Sequence, residues 1–213
     1  MDDYVKIPNK RYPNILLRVY KGHFVTPNSH INYFIDMSAL KARQSEANAI
    51  AEAIAEQYSA TTTVDTILCL DGCEVIGAYL ADHLTKAGIL STNAHKTLYI
   101  TVPEFGATGE LVFRDNLKPM IRGKHILILL ANATTGRTLS NAIDVVKYYG
   151  GIVTGVSAIF SAATAVAGMP IYHLFDSTDL PDYRSYPHHD CAMCQAGEKI
   201  DAICNSFGYS KLE

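Results

Sequence analysis

The run Ile126-Leu127-Ile128-Leu129-Leu130-Ala131, followed by Asn132-Ala133-Thr134-Thr135-Gly136-Arg137-Thr138, constrains this chain most. An unbroken apolar stretch bounded by a polar turn reads as a strand buried on both faces. A helical period follows: Leu139, Ala142, Ile143 and Val146 share one stripe, and Gly150-Gly151 ends it. A strand that feeds a helix through a tight polar loop leaves backbone N–H groups and threonine hydroxyls facing outward. The positive end of the helix dipole stands behind them. Residues Asn132 to Thr138 are therefore a candidate cradle for a phosphate. The alternative is an ordinary strand-turn-helix junction with threonine caps.

The same alternation repeats along the chain. Ala47, Ile50, Ala51, Ile54 and Tyr58 predict a helix over 38–58, and Val64 to Leu70 predict a strand. Asp71-Gly72-Cys73 is a turn, and Glu74 to Ala87 a helix carrying Ile76, Leu80 and Leu84 on one stripe, with Gly88 as its stop. Further strands are expected at 97–102, 124–130, 152–160 and 171–175, with a helix at 138–149. The polar stretch Pro103 to Gly123 is long for a connection. The tail beyond Asp176 is rich in Pro, Asp, His and Cys and reads as an irregular lobe. Alternating strands and helices imply an α/β fold, a mostly parallel sheet covered on both faces. Ligands of such sheets bind at the carboxyl ends of the strands, which is where Asp71–Glu74 and Asn132–Arg137 fall.

Net charge is −3 with no basic run, so broad electrostatic capture of nucleic acid is not expected. Met1-Asp2-Asp3-Tyr4-Val5-Lys6 is polar and lacks the apolar core of a signal peptide. No apolar stretch is long enough to span a bilayer. A soluble, cytoplasmic protein is expected. Five cysteines, an odd number, argue against a disulfide framework.

No Gly-x-Gly-x-x-Gly follows a strand, and no Gly-Lys-Ser/Thr is present, which speaks against dinucleotide and P-loop sites. Thr134-Thr135-Gly136-Arg137-Thr138 instead resembles the second half of the signature for 5-phosphoribosyl 1-diphosphate (PRPP) in type I phosphoribosyltransferases. Gly22-His23-Phe24-Val25-Thr26 with Asn32-Tyr33-Phe34-Ile35-Asp36 is similar to the hood of orotate phosphoribosyltransferases. Leu70 to Ala78 takes the place of the pyrophosphate loop. Asp190-Cys191-Ala192-Met193-Cys194-Gln195-Ala196-Gly197 is similar to an Asp-Cys-x-x-Cys-x-x-Gly tail found in part of the orotate branch. The resemblance implies one domain over 1–213, with a core of about 38–172 and a hood from about 1–37 and 173–213. It implies transfer of phosphoribosyl from PRPP to a planar nitrogen base, with release of pyrophosphate and with Mg²⁺ as cofactor. It also implies a homodimer. Asn132, Ala133, Thr134, Thr135, Gly136, Arg137 and Thr138 would hold the 5′-phosphate, and Asp71, Gly72 and Cys73 would line the pyrophosphate side.

Two elements depart from that pattern. The signature's acidic pair falls on Leu130 and Ala131. A charged hydrogen bond contributes about 1.5–3 kcal/mol, so losing two weakens PRPP binding by about 10²–10⁴-fold unless something compensates. The basic catalytic loop is replaced by Thr101-Val102-Pro103-Glu104-Phe105-Gly106-Ala107-Thr108-Gly109-Glu110, with no cation before Arg114. Asn132 and Arg137 are the polar side chains placed to compensate; Arg137 reads equally well as a solvated first-turn residue. Asp71 and Glu74 put negative charge on the pyrophosphate side, which calls for a bridging metal, or for Glu74 acting only as a helix cap.

His188, His189, Cys191 and Cys194 form a compact group that could hold Zn²⁺. Adjacent histidines rarely reach one ion, so the competing reading is a reduced cysteine pair. Cys69 reads as core, and Cys73 as a thiol in a ligand-facing loop. His23 and His30 read as hood packing or surface residues. Three functions remain open: a phosphoribosyltransferase, a non-catalytic binder of a nucleotide or phosphosugar on the same fold, and a zinc-stabilised interaction module.

Overall fold

The computed structural model describes residues 4–88, 91–94, 96–106, 110–134, 136–205 and 207–212. The chain divides into two units, Met1–Ala39 with Ser177–Glu213, and Leu40–Asp176.

In the first unit, strands β1 (Val5–Pro8), β2 (Leu16–Val25) and β3 (His30–Asp36) pair antiparallel. Burial along β2 alternates through Leu17 and Val19, as one covered face requires. The register then shifts between Lys21 and Phe24. This bulge breaks the alternation, so His23 and Phe24 are both buried. Gly22 lies inside it, and a Cβ there would stand 2.5 Å from the Asp201 carboxylate.

The second unit begins within α1 (Ser38–Ala42) and continues through α2 (Gln44–Tyr58), β4 (Thr66–Cys69), α3 (Glu74–Lys86), β5 (Tyr99–Thr101) and the hairpin β6 (Glu104–Phe105)–β7 (Leu111–Val112). A short 3₁₀ turn at Lys118–Met120 leads to β8 (His125–Ala133), α4 (Arg137–Tyr148) and β9 (Ile152–Ser161). A small hairpin, β10 (Ala165–Val166) and β11 (Met169–Pro170), precedes β12 (Tyr172–Asp176). The sheet order is β12-β9-β8-β4-β5, with every neighbour parallel.

Leu68, Ile128, Leu130, Val156 and Ala158 point to the α4 face and pack on Leu139, Ala142, Ile143 and Val146. The alternate residues meet the other helices. A Cβ on Gly77 of α3 would lie 2.5 Å from Cys69 Sγ, and one on Gly155 of β9 would lie 2.6 Å from the Tyr58 ring of α2. Glycine is what lets those layers approach so closely. The Tyr58 hydroxyl donates to Val156 O at 3.1 Å, and burial pushes its pKa up to about 12.

The remaining elements belong to the first unit: β13 (Ser185–Tyr186), the one-turn α5 (Ala192–Gln195), β14 (Ala202–Asn205) and β15 (Gly208–Lys211). Its sheet runs β13-β3-β2-β14-β15, with β1 also on β2. Phe24, Ile31, Phe34, Ala202 and Cys204 form one of its buried clusters.

Four expectations change. The helix expected over 38–58 is two helices, because Arg43 is extended (φ −84°, ψ 120°) and starts the second. The strand expected to stop at Leu130 runs to Ala133, because β9 continues beside it and pairs Asn132 with Phe160 and Ala133 with Ser161. The 103–123 connection carries the β6–β7 hairpin. The tail is not irregular: it adds three strands to the first unit's sheet.

Candidate functional site

The carboxyl edge of the parallel sheet presents two adjacent turns. The first follows β8. Because β8 extends to Ala133, Asn132 and Ala133 belong to the strand rather than to the loop, Ala133 buried and Asn132 exposed. Thr134 is half-buried, Arg137 and Thr138 are exposed, and Thr135 lies outside the described residues. Gly136 adopts φ +71°, ψ 0° at the start of α4, with no side-chain cap bond among the described residues. Its carbonyl accepts the N–H of Ser140. The left-handed turn suits glycine and leaves the first amides of a twelve-residue helix facing the sheet edge.

The second turn follows β4, the direct neighbour of β8. Asp71 and Gly72 are both left-handed, at φ +55° and +76°. Lys41 Nζ donates to the Asp71 carbonyl at 2.7 Å. Burial raises the pKa of the Asp71 carboxyl, against the opposing pull of the Asn132 N–H, the Lys41 charge and the Ala131 N–H. The half-buried Asp71 thus carries a carboxylate to the backbone of Ala131 and Asn132, beside the positions where the signature's acidic pair is missing. Sequence position alone sets the charge of Asp71 on the pyrophosphate side, where it calls for a bridging metal; the β4–β8 adjacency puts it against the amides of the neighbouring strand.

The residues at the other departures are engaged in contacts of their own. Leu130 is packed under α4, and Ala131 is 4 % exposed. Arg114 forks onto Glu104, Nε to Oε2 and Nη2 to Oε1, both at 2.5 Å. Cys73 does not face a ligand: it is 0 % exposed, and burial raises its thiol pKa well above the ordinary value. Only its backbone can line the turn. Cys69 is core, as expected.

In the first unit, the side chains that converge are His23, His30, Cys191 and Cys194, whose ligand atoms all lie within 4.8 Å of one another. His23 Nε2 is 2.8 Å from His30 Nδ1 and 3.7 Å from each sulfur, and Cys194 Sγ is 3.4 Å from His30 Nδ1. Of the four residues grouped from the sequence, Cys191 and Cys194 lie in this cluster. His188 stacks edge-on to His30 at 5.1 Å, both His188 and His189 are exposed, and neither belongs to this group. The missing signal was the pair of histidines flanking the β2–β3 turn. Cys204 lies in the first unit's core, its thiol pushed up to about 12 by burial.

No family model matches the chain. The orotate phosphoribosyltransferase of Thermus thermophilus is 24% identical over 186 residues, 86% of this chain and 92% of the relative. The orotate phosphoribosyltransferase of Mycobacterium tuberculosis H37Rv, in complex with Fe(III) dicitrate, matches with a TM-score of 0.54 at 17% identity, over 77% of this chain and 92% of that one. Its complex with PRPP matches with a TM-score of 0.50 at 16% identity, over 68% and 82%. Adenine phosphoribosyltransferase of Leishmania donovani matches with a TM-score of 0.51 at 13% identity, over 74% and 77%. Among the described residues, no helix is long and apolar enough to cross a membrane.

Proposed function

We infer that this chain, built on the type I phosphoribosyltransferase fold and most like the orotate phosphoribosyltransferases, transfers phosphoribosyl from PRPP to a planar nitrogen base and releases pyrophosphate. One observation carries this reading: the Thr134–Thr138 junction opens α4 through a left-handed glycine at the carboxyl edge of the sheet. The backbone amides at the start of α4 and the helix dipole suit a phosphate dianion. Thr134 and Thr138 hydroxyls add donors, and Thr135 joins them by its place in the motif. Asp71, Gly72 and the backbone of Cys73 would line the diphosphate side. Arg137 stands in the first turn of α4.

Glycosyl transfer of this kind asks little covalent chemistry of the protein. It asks for alignment of base and ribose and for stabilisation of the leaving group's charge. Mg²⁺ prefers carboxylate and phosphate oxygens and usually keeps waters. Asp71, with Glu74 three residues on, offers oxygens of that kind, so the turn fits an ion arriving on a diphosphate. Bound there, Mg²⁺ would neutralise the departing oxygens. Asp71 would also accept a hydroxyl hydrogen bond that Leu130 and Ala131 cannot.

A second reading is a non-catalytic binder of a nucleotide or phosphosugar. The engagement of Arg114 by Glu104 favours it, because the cation nearest the family's catalytic-loop position is already neutralised. Titration calorimetry with PRPP, orotate and orotidine monophosphate, alongside a pyrophosphate-release assay with Mg²⁺, separates the two. Turnover supports the transferase; nucleotide binding without pyrophosphate release supports the binder; silence to all ligands overturns both. Orotate tested against adenine in the same assay identifies the base. A cytoplasmic homodimer is part of the same proposal, its stoichiometry checked by light scattering and its location by cell fractionation.

A further inference from the structure

A single Cys-x-x-Cys is half of a zinc site; the other half has to come from elsewhere in the fold. Here it comes from the opposite end of the chain. Cys191 precedes α5 and Cys194 lies within it, so one helical turn sets both sulfurs on the same side. Gly197, at φ +75°, turns the chain away immediately after. His23 is delivered by the β2 bulge and His30 by the first residue of β3.

The histidines are held by partners of their own. Asp201 Oδ2 accepts the His23 N–H at 2.8 Å, and the Asp201 N–H donates to His23 O at 2.8 Å. His23 Nδ1 lies 3.0 Å from the Glu198 carbonyl. A carbonyl only accepts, so that bond places the His23 proton on Nδ1 and leaves Nε2 with its lone pair toward His30 and both sulfurs. Metal-ligating histidines are oriented by this kind of outer contact. His23 is 2 % exposed, His30 7 % and Cys191 2 %, while Cys194 is exposed and leaves a path for entry.

The ligand atoms are close enough to share one ion, all lying within 4.8 Å of one another. Zinc bonds of about 2.0–2.1 Å to nitrogen and 2.3 Å to sulfur imply edges of about 3.3–3.8 Å. Three of the N–S separations are 3.4, 3.7 and 3.7 Å, all six edges lie within 4.8 Å, and the N–N separation of 2.8 Å needs to open by about half an ångström. Two thiolates and two neutral imidazoles balance the charge of a divalent ion. Thiolate with imidazole selects Zn²⁺ over Mg²⁺ or Ca²⁺, and four protein ligands leave no open position for substrate.

We propose that His23, His30, Cys191 and Cys194 bind one structural Zn²⁺, which staples the two sequence-distant segments of the first unit together. A small unit gains most from such a staple. The proposal rests on the first unit alone and stands or falls independently of phosphoribosyl transfer.

The test uses the full chain, purified reduced and without chelator. Elemental analysis is expected to find one zinc per chain. Cys191→Ser, Cys194→Ser and His23→Asn each lower zinc affinity by more than about 100-fold, beyond the cost of losing an outer contact, whereas His188→Ala and His189→Ala retain the metal. Because a ligand variant that fails to fold loses metal trivially, the wild-type chain is also stripped and titrated with Co²⁺. One equivalent gives the visible bands of a tetrahedral thiolate site, and Zn²⁺ bleaches them. Reduced, stripped protein that stays colourless with Co²⁺ overturns the proposal. So does zinc that survives in His23→Asn but is lost from His189→Ala.

Discussion

Replacing Asp71 separates folding from binding. At φ +55° the residue stands where Asp and Asn are tolerated and where alanine costs about 1–2 kcal/mol. Burial lifts its carboxyl pKa despite the Asn132 and Ala131 amides and Lys41, so a neutral side chain of the same shape loses little. Asp71→Asn keeps an acceptor for the amides, and its stability at pH 7 should lie within about 0.5 kcal/mol of wild type. Asp71→Ala leaves two amides without that acceptor, at about 1 kcal/mol each, and adds the dihedral cost. Together these amount to about 3 kcal/mol, a Tm drop of about 6–12 °C in a chain of this size. Asp71→Gly falls between, because it escapes the dihedral cost alone.

The pH dependence has a fixed sign. A carboxyl whose folded pKa exceeds its unfolded value binds more protons when folded, so wild type loses stability relative to Asp71→Asn as pH rises from the ordinary carboxylate range. Binding should move the other way. Without the charge, affinity for Mg²⁺-PRPP falls by about 10–100-fold, one charged hydrogen bond. Thermal unfolding followed by circular dichroism reads the first effect and calorimetry the second. Equal stability of the Asn and Ala variants would refute the structural reasoning; unchanged PRPP affinity in Asp71→Asn would refute the role given to the carboxylate.

Gly136→Ala should cost about 1–2 kcal/mol for its φ of +71°, since a Cβ meets Val166 no closer than 3.4 Å; phosphate-monoester affinity should fall more than about tenfold as the α4 amides shift. Asp65→Asn acts on acid stability. Burial alone would raise the Asp65 pKa, but the His125 N–H at 2.9 Å, its ring at 2.8 Å and the Lys124 charge lower it overall. The stability it supplies is present above the unfolded carboxylate pKa and is lost as pH falls through the folded one. The substitution should cost about 1 kcal/mol at neutral pH, the pair being partly exposed, and should flatten the acid limb of a urea-unfolding pH series.

Local patterns were legible where local physics decides. The stripe on 139–146 and the apolar run before it fixed α4 and β8 to within a few residues. The end of β8 was not legible, because the strand continues only while β9 stays beside it, and Asn132 and Ala133 have no apolar signature of their own. The part played by Asp71 was hidden for the same reason: its partners are amides on the neighbouring strand, sixty residues away in sequence. His23 and His30 looked like packing residues beside the conspicuous His188-His189. A bulge, a hairpin and a parallel β2–β14 pairing bring them to Cys191 and Cys194, and no window of adjacent residues encodes that.

The central claim is that the amides opening α4 grip a phosphate dianion. Amide-resolved nuclear magnetic resonance of the labelled chain, titrated with ribose 5-phosphate, addresses it directly. The expected result is saturable downfield movement of the Gly136, Arg137 and Thr138 amides, with Lys147 and Tyr148 at the far end of α4 unmoved. Saturation that leaves those three amides unchanged, or shifts spread evenly over the surface, would contradict it.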